Sequence, residues 1–93
     1  MTTQTEVQVL VTGRVQGVGF RHFTKVKAEL HHIRGFVQNL ADGRVEVVGV
    51  GTRSALEALI EDLHIGPPAS QVQKCLSKWQ VTPDFFPNFS IRL

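Results

Sequence analysis

A glycine-rich segment followed by an arginine, near the start of the chain, could bind an anion. Gly13, Gly17 and Gly19 all fall within residues 13–19, and Arg21 follows two positions later. Glycines allow successive main-chain N–H groups to converge on one anion, and a planar guanidinium can hold two phosphate oxygens at once. The pattern indicates a phosphate-like ligand, although a tight turn without a ligand would use the same glycines.

This segment differs from the two best-known phosphate-binding loops. It has no Gly-Lys-Ser/Thr sequence, so it is not a Walker loop. His22 stands where a dinucleotide-binding loop has its third glycine.

Arg21 favours the anion over the empty turn. It is expected in the first turn of a helix, where a cation opposes the helix dipole at a cost of roughly 0.3–1 kcal/mol. A bound anion would compensate for that cost, whereas a solvated surface arginine is the alternative interpretation.

Asn39 is the second candidate because of where its strand ends. Val7–Val11 and Gly35–Asn39 are typical of strands that flank the first helix. In a split β-α-β unit these two strands run parallel, so their C-terminal ends share one edge of the sheet. Asn39 could therefore face the glycine segment and position a water molecule. A simple turn residue before Asp42-Gly43 is an equally good interpretation.

The histidines and the single cysteine predict no site. His31 and His32 are adjacent, so they do not share a helix face, and we expect them at the end of the first helix. His22 is expected to be exposed, and His64 to end the second helix, where a cation is favourable. Cys75 has no metal-ligand spacing around it and is expected to be a small buried residue.

Two amphipathic helices are predicted to position the candidate residues. The apolar stripe of the first helix consists of Phe20, Phe23, Val26, Leu30 and Ile33. The second helix is predicted to begin with the capping-box pair Ser54 and Glu57 and to end before Gly66. Its apolar stripe consists of Leu56, Leu59, Ile60 and Leu63.

Three more strands complete the pattern. Arg44–Val50 follows the hairpin signal Asp42-Gly43, and Val72–Val81 and Phe89–Leu93 come after the second helix. The order is β-α-β-β-α-β plus one C-terminal strand, which predicts a ferredoxin-like α+β fold. The 93 residues suffice for a single domain, 1–93.

Charge and composition narrow the partners only slightly. The net charge is +2, and the basic residues are scattered, so a nucleic-acid footprint is weak. The polar segment Met1–Glu6 contains no signal sequence, and no apolar run is long enough to cross a bilayer. We expect a cytoplasmic monomer that acts on a small molecule, with neither nucleic acid nor a membrane as partner.

Two long motifs resemble the signatures of the acylphosphatase family. Gly13–Arg21 resembles the first signature, and Gly35–Asn39, followed by Gly43, Val45 and Gly51, resembles the second. Further similarity around Gly66-Pro67 and in the ending Asn88–Arg92 extends the resemblance over nearly the whole chain.

The resemblance implies a ferredoxin-like α/β sandwich, with an antiparallel sheet and two helices on one face. It implies a metal-independent hydrolase, without an organic cofactor, that cleaves carboxyl-phosphate anhydrides (acyl phosphates) to a carboxylate and inorganic phosphate. By this similarity Arg21 holds the phosphoryl group and Asn39 orients the attacking water. The main-chain amides implied to help Arg21 are those of Val15, Gln16, Gly17, Val18, Gly19 and Phe20.

One departure from the family concerns the end of the first helix. Family members usually have an apolar residue and then glycine there, and this chain has His31 and His32. A non-glycine residue in a left-handed cap costs about 1 kcal/mol, which affects the helix end more than the activity.

Two other functions stay open at this point. The first is an acylphosphatase-like module that binds phosphate or carbamoyl phosphate without turnover, as in hydrogenase-maturation carbamoyltransferases; the length of 93 residues favours a free-standing enzyme. The second is RNA binding, because RNA-recognition motifs share this element order. Arg34–Val37 resembles the start of their main signature but falls on the second strand instead of the third.

Overall fold

The fold is a five-stranded sheet that packs against two helices, and the computed structural model describes residues 3–93. The first two residues of the predicted domain, which also begin the polar segment Met1–Glu6, lie outside the described residues. The elements are β1 (Gln4–Arg14), α1 (Phe20–Leu30), β2 (Arg34–Asn39), β3 (Val45–Thr52), α2 (Arg53–Ile65), β4 (Gln71–Gln80) and β5 (Phe89–Arg92). The predicted element order and the ferredoxin-like α+β class are confirmed. No helix within residues 3–93 is long and apolar enough to cross a membrane.

The sheet has the strand order β4-β1-β3-β2-β5. Pairing is antiparallel between β4 and β1, β1 and β3, and β3 and β2, whereas β5 runs parallel to β2. The expected antiparallel sheet is therefore a mixed sheet. After β4 at one edge, the chain crosses to the opposite edge before β5 begins, and it arrives in the same direction as β2.

The core lies between the helices and the sheet. Alternate valines of β1 and β3 point towards α2, whose leucines are fully buried; these are Val7, Val9, Val11, Val45, Val47, Leu56, Leu59 and Leu63. Burying one such side chain contributes roughly 1.5–3 kcal/mol. The predicted stripe of α2 is thus confirmed at its three leucines, and Ile60 packs partly buried at its margin.

The buried face of α1 differs from the predicted stripe. Phe20, Thr24 and Ala28 are buried, whereas Val26 and Leu30 are exposed. Thr24 tolerates burial because its hydroxyl donates to the carbonyl oxygen of Phe20 at 2.8 Å. The helix therefore packs through residues spaced four apart. Because one of them is a threonine, the buried line does not stand out as apolar in the sequence.

The start of α2 also differs from the prediction. Thr52, and not Ser54, is the N-cap, and its hydroxyl accepts from the amide of Ala55 at 3.2 Å. Ser54 lies inside the first turn, so no capping box with Glu57 forms. Strand β3 runs two residues further than expected, which makes Thr52 the first hydroxyl available as the chain leaves the sheet.

The C-terminus of α1 ends in a left-handed residue, as the departure from the family signature predicts. His32 has φ of 59°, and the amides of His32 and Ile33 donate to the carbonyl oxygens of Glu29 and Ala28. This is the Schellman arrangement, which usually places glycine at the left-handed position. His31 precedes it and links the two helices, because its Nε2 lies 3.0 Å from Oδ2 of Asp62.

We expect His32→Gly to stabilise the protein. A side chain in the left-handed region costs roughly 1–2 kcal/mol, and glycine removes that strain while keeping the two main-chain hydrogen bonds. Urea unfolding should show a gain of about 1 kcal/mol, and the melting temperature should rise by roughly 4–8 °C. His64→Gly is the matched control: His64 lies inside the last turn of α2, so the same change should destabilise. Equal effects at the two positions would contradict the strain argument.

Candidate active site

The loop between β1 and α1 is anchored at both ends by buried apolar residues and turns at two glycines. Val15 and Phe20 are buried, whereas Gly17 and Gly19 are exposed. Gly17 has φ of 73° and Gly19 has φ of 80°, both in the left-handed region that side chains rarely adopt. The two glycines therefore turn the main chain sharply between two apolar anchors.

The main-chain amides of this loop are unpaired. Within residues 3–93, none of the hydrogen bonds in turns, loops and caps is donated by an amide of residues 15–20. Gly19 is the N-cap of α1 and has no side chain to cap the helix, and no acidic residue lies in the first turn. Amides at a helix N-terminus lie at the positive end of the dipole, so this loop can accept an anion.

Arg21 lies in that first turn without a carboxylate partner. No Asp or Glu side chain of the described residues is within ion-pair distance of its guanidinium. Its hydrogen bond to the carbonyl oxygen of Arg92 measures 3.4 Å, which is long for a N–H···O bond. The guanidinium therefore remains available to an anionic ligand.

Asn39 ends β2 at the same edge of the sheet as this loop. Both β1 and β2 pair antiparallel with β3, so they run parallel to each other as expected. The Oδ1 atom of Asn39 is buried and lacks a hydrogen-bond partner among the described residues. An unsatisfied buried acceptor costs about 1–3 kcal/mol, and a water molecule or a ligand group would relieve that cost.

Arg21 and Asn39 line one cavity of about 330 Å³. From the loop and the start of α1, this cavity is also lined by Val15, Gly17, Gly19, Phe20 and His22. Gln16 and Val18, the other two loop residues implied by the resemblance, are not among its lining residues. Val18 packs against the core, and Gln16 faces the turn after β2.

Three lining residues were not anticipated from the sequence. His22 was expected to be exposed, which it is, but it also borders the cavity beside Arg21. Ile91 and Leu93 line the cavity from the C-terminal strand. Since β5 pairs parallel to β2, with Val37 opposite Ile91, the end of β5 reaches the same sheet edge as Asn39. The parallel pairing with β2 brings the end of β5 to this side of the sheet. The alternation of apolar residues along β5 does not reveal whether the strand runs parallel or antiparallel.

Gln16 connects the loop to the turn that follows Asn39. Its Nε2 donates to the carbonyl oxygens of Leu40 at 2.8 Å and Arg44 at 2.9 Å. On the outer side of this turn, Arg44 donates to the carboxylate of Asp42 at 2.8 Å. That hydrogen bond holds the pKa of the Asp42 carboxyl below its ordinary value and raises the pKa of Arg44.

Neither a cysteine nor a metal cluster adds to the site. Burial raises the pKa of the half-buried Cys75 thiol, which keeps it protonated and unreactive at neutral pH. Across the described part of the chain, no three side chains of His, Cys, Asp or Glu come together as a metal site.

Comparisons with known proteins agree on one family. A sequence model of the acylphosphatase family matches residues 7–91. An acylphosphatase of Salinibacter ruber is 41% identical over 90 residues, which cover 97% of this chain and 95% of that protein. The crystal structure of an acylphosphatase from Bacillus subtilis superposes with a TM-score of 0.94 at 35% identity, covering 96% of this chain and 99% of the other.

The same fold also matches a small part of a longer protein. The crystal structure of HypF from T. kodakarensis superposes with a TM-score of 0.83 at 34% identity. That match covers 96% of this chain but 12% of HypF.

Proposed function

This chain belongs to the acylphosphatase family, and from that membership we propose how its own residues carry out the reaction. It is a hydrolase that cleaves carboxyl-phosphate anhydrides to a carboxylate and inorganic phosphate. The observation that carries the proposal is that Arg21 and Asn39 line one cavity, and that the buried Oδ1 of Asn39 has no hydrogen-bond partner among the described residues.

The phosphoryl group is bound by the loop and by Arg21. The unpaired amides of the loop residues that line the cavity, Val15, Gly17, Gly19 and Phe20, present their partial positive charge to its oxygens, and the guanidinium holds two of them. Among the described residues, Arg21 has no carboxylate partner to release before it binds the anion. Fixed donors of this kind stabilise charge that develops in the transition state by roughly 3–4 kcal/mol each.

Asn39 orients the attacking water. Its Oδ1 needs a hydrogen-bond donor, and a water molecule supplies one while presenting its own lone pair to phosphorus. Phosphoryl transfer requires the attacking and leaving oxygens to be roughly in line, so fixing the water on one side of the phosphoryl group promotes catalysis.

The reaction itself needs no acid-base pair. The oxygen of water forms a bond to phosphorus while the bond from phosphorus to the acyl oxygen breaks. The leaving carboxylate carries the electron pair and is stable without protonation. A phosphoryl oxygen of the substrate accepts the proton of the water, so positioning and charge stabilisation remain the tasks of the protein.

We expect the purified protein to hydrolyse benzoyl phosphate at neutral pH in the presence of EDTA. Release of inorganic phosphate measures the rate, and added phosphate should inhibit competitively because it occupies the same loop. Loss of turnover on chelation, restored by a divalent cation, would contradict the metal-independent mechanism.

We also propose that the protein acts in the cytoplasm as a monomer. Size-exclusion chromatography tests the monomer.

A binding module is the second candidate, because HypF of T. kodakarensis contains a unit of the same fold within a much longer chain. Saturable binding of carbamoyl phosphate without release of phosphate would favour it.

RNA binding has less support. The central strands β1 and β3 present Gln8 and Glu46 on the face away from the helices, where both carboxylate oxygens of Glu46 accept from glutamines. A carboxylate at this place repels a phosphate backbone.

A further inference from the structure

We propose that the side chain of Gln16 is a positioning residue for the hydrolysis. It holds the turn that follows Asn39 at a fixed distance from the phosphate-binding loop, and so sets where the water lies relative to phosphorus. This inference rests on the proposed function.

The two hydrogen bonds of Gln16 use both protons of its amide nitrogen. Nε2 donates to the carbonyl oxygens of Leu40 and Arg44, at 2.8 and 2.9 Å, and the side chain is half-buried. Because both partners are acceptors, the nitrogen of the carboxamide must face them. A glutamate here would place a carboxylate against two carbonyl oxygens, and an asparagine is one methylene shorter.

The two carbonyls that Gln16 binds also close the turn. The carbonyl oxygen of Arg44 accepts from the amide of Leu40 at 2.8 Å, and that of Leu40 accepts from the amide of Gly43 at 3.2 Å. Gln16 therefore attaches to the two ends of one hydrogen-bonded unit, and Asn39 directly precedes that unit.

No other hydrogen bond in residues 3–93 joins the loop, residues 15–19, to residues 39–44. The strand pairing of Asn39 with Val45 places the asparagine in the sheet. This pairing does not fix the distance between Asn39 and the phosphate-binding loop. Beyond the packing of Val15 and Phe20 at the ends of the loop, Gln16 therefore supplies the hydrogen bonds that set the separation between the phosphate-binding amides and the water-holding carboxamide. A misplacement of about 1 Å can lower a rate by roughly a hundredfold.

The test is Gln16→Met, which keeps the length of the side chain and removes both donors. We expect kcat for benzoyl phosphate to fall by about tenfold to a hundredfold, while the inhibition constant of inorganic phosphate stays close to that of the wild type. In an Asn39→Ala background the same change should cause little further loss, because the group that Gln16 positions is already absent.

Gln8→Met is the matched control. Gln8 is also half-buried and donates through Nε2, to Glu46 at 2.7 Å, but it lies on the face of the sheet away from the cavity's helix. We expect its kcat to equal that of the wild type. Urea unfolding of each variant ensures that rates are compared between folded proteins.

Three results would overturn the inference while leaving the proposed function intact. One is a Gln16→Met protein as active as Gln8→Met, and another is a loss of phosphate affinity as large as the loss of kcat. The third is an equal fractional loss with and without Asn39, which would assign Gln16 a general structural role. If Asn39→Ala is too slow to assay, the comparison of kcat with phosphate affinity decides. A wild-type protein without turnover would refute the proposed function, and this inference with it.

Discussion

Arg21→Ala is expected to lower kcat/KM for benzoyl phosphate by about 10³-fold or more, as the loss of a phosphate-binding arginine does in other phosphoryl-transfer enzymes. It should also abolish competitive inhibition by inorganic phosphate. The guanidinium lines the cavity, has no carboxylate partner among the described residues and makes one long hydrogen bond, to the carbonyl oxygen of Arg92. Its removal therefore disturbs the ligand and little else. The kcat/KM of Arg21→Lys should fall between those of the wild type and Arg21→Ala, because an ammonium keeps the charge but cannot contact two oxygens at once.

Arg53→Ala is the control for this experiment. Arg53 also lies in the first turn of a helix, α2, where it pairs with Glu57 at 3.3 Å and stacks over Trp79 at 3.6 Å. It is not part of the cavity, so we expect its kcat/KM to match the wild type. Phosphate inhibition that persists in Arg21→Ala would refute the assignment of this arginine to the phosphoryl group.

Asn39→Ala is expected to lower kcat by about a hundredfold while leaving the phosphate inhibition constant nearly unchanged. The carboxamide acts on water, and the loop and Arg21 bind the anion without it. The variant should be at least as stable as the wild type in urea. The buried Oδ1 has no hydrogen-bond partner in residues 3–93, and deleting an unsatisfied acceptor removes a cost of about 1–3 kcal/mol.

The prediction is specific because Asn39→Ala should lower the activity without lowering the stability. A residue that serves the fold would lose both when truncated. Equal losses of kcat and phosphate affinity would contradict the role of Asn39 in holding water, and a clear loss of stability would show that Oδ1 is satisfied in the folded protein.

The sequence predicted the order of elements because each carries a strong local signal. The hairpin turn at Asp42-Gly43, the end of α2 at Gly66 and the valine-rich strand β3 are all found where the sequence predicts them. The helix details were harder to predict. A threonine on the buried line of α1 conceals its hydroxyl in a local hydrogen bond, and two hydroxyls, Thr52 and Ser54, compete for the cap of α2.

The half-buried residues of β4 do not alternate along the strand, for a reason that the sequence does not reveal. The register against β1 shifts between Thr12 and Gly13, so that Lys74 and Val72 face consecutive residues and Gln73 is extra. The extra residue moves Val72 and Cys75, three positions apart, to the same half-buried side. A bulge depends on the pairing with the partner strand, so it cannot be predicted from the sequence of one strand alone.

The candidate site also contains residues that could be predicted from the sequence and residues that could not. Residues of the glycine loop, Arg21 and Asn39 could be proposed from two motifs and the parallel direction of β1 and β2. Ile91 and Leu93 could not, because they enter the cavity through a pairing between distant segments. The two contacts of Gln16 could not either, since they join its side chain to carbonyl oxygens and carry no sequence pattern.

The short final strand couples ligand retention to local unfolding. β5 has four residues, pairs with β2 alone among the described strands and contributes Ile91 to the wall of the cavity. Edge segments of this kind open at a small fraction of the global unfolding free energy. If β5 opens away from β2, Ile91 leaves the wall of the cavity. We therefore expect variants that loosen β5 to release inorganic phosphate faster than the wild type.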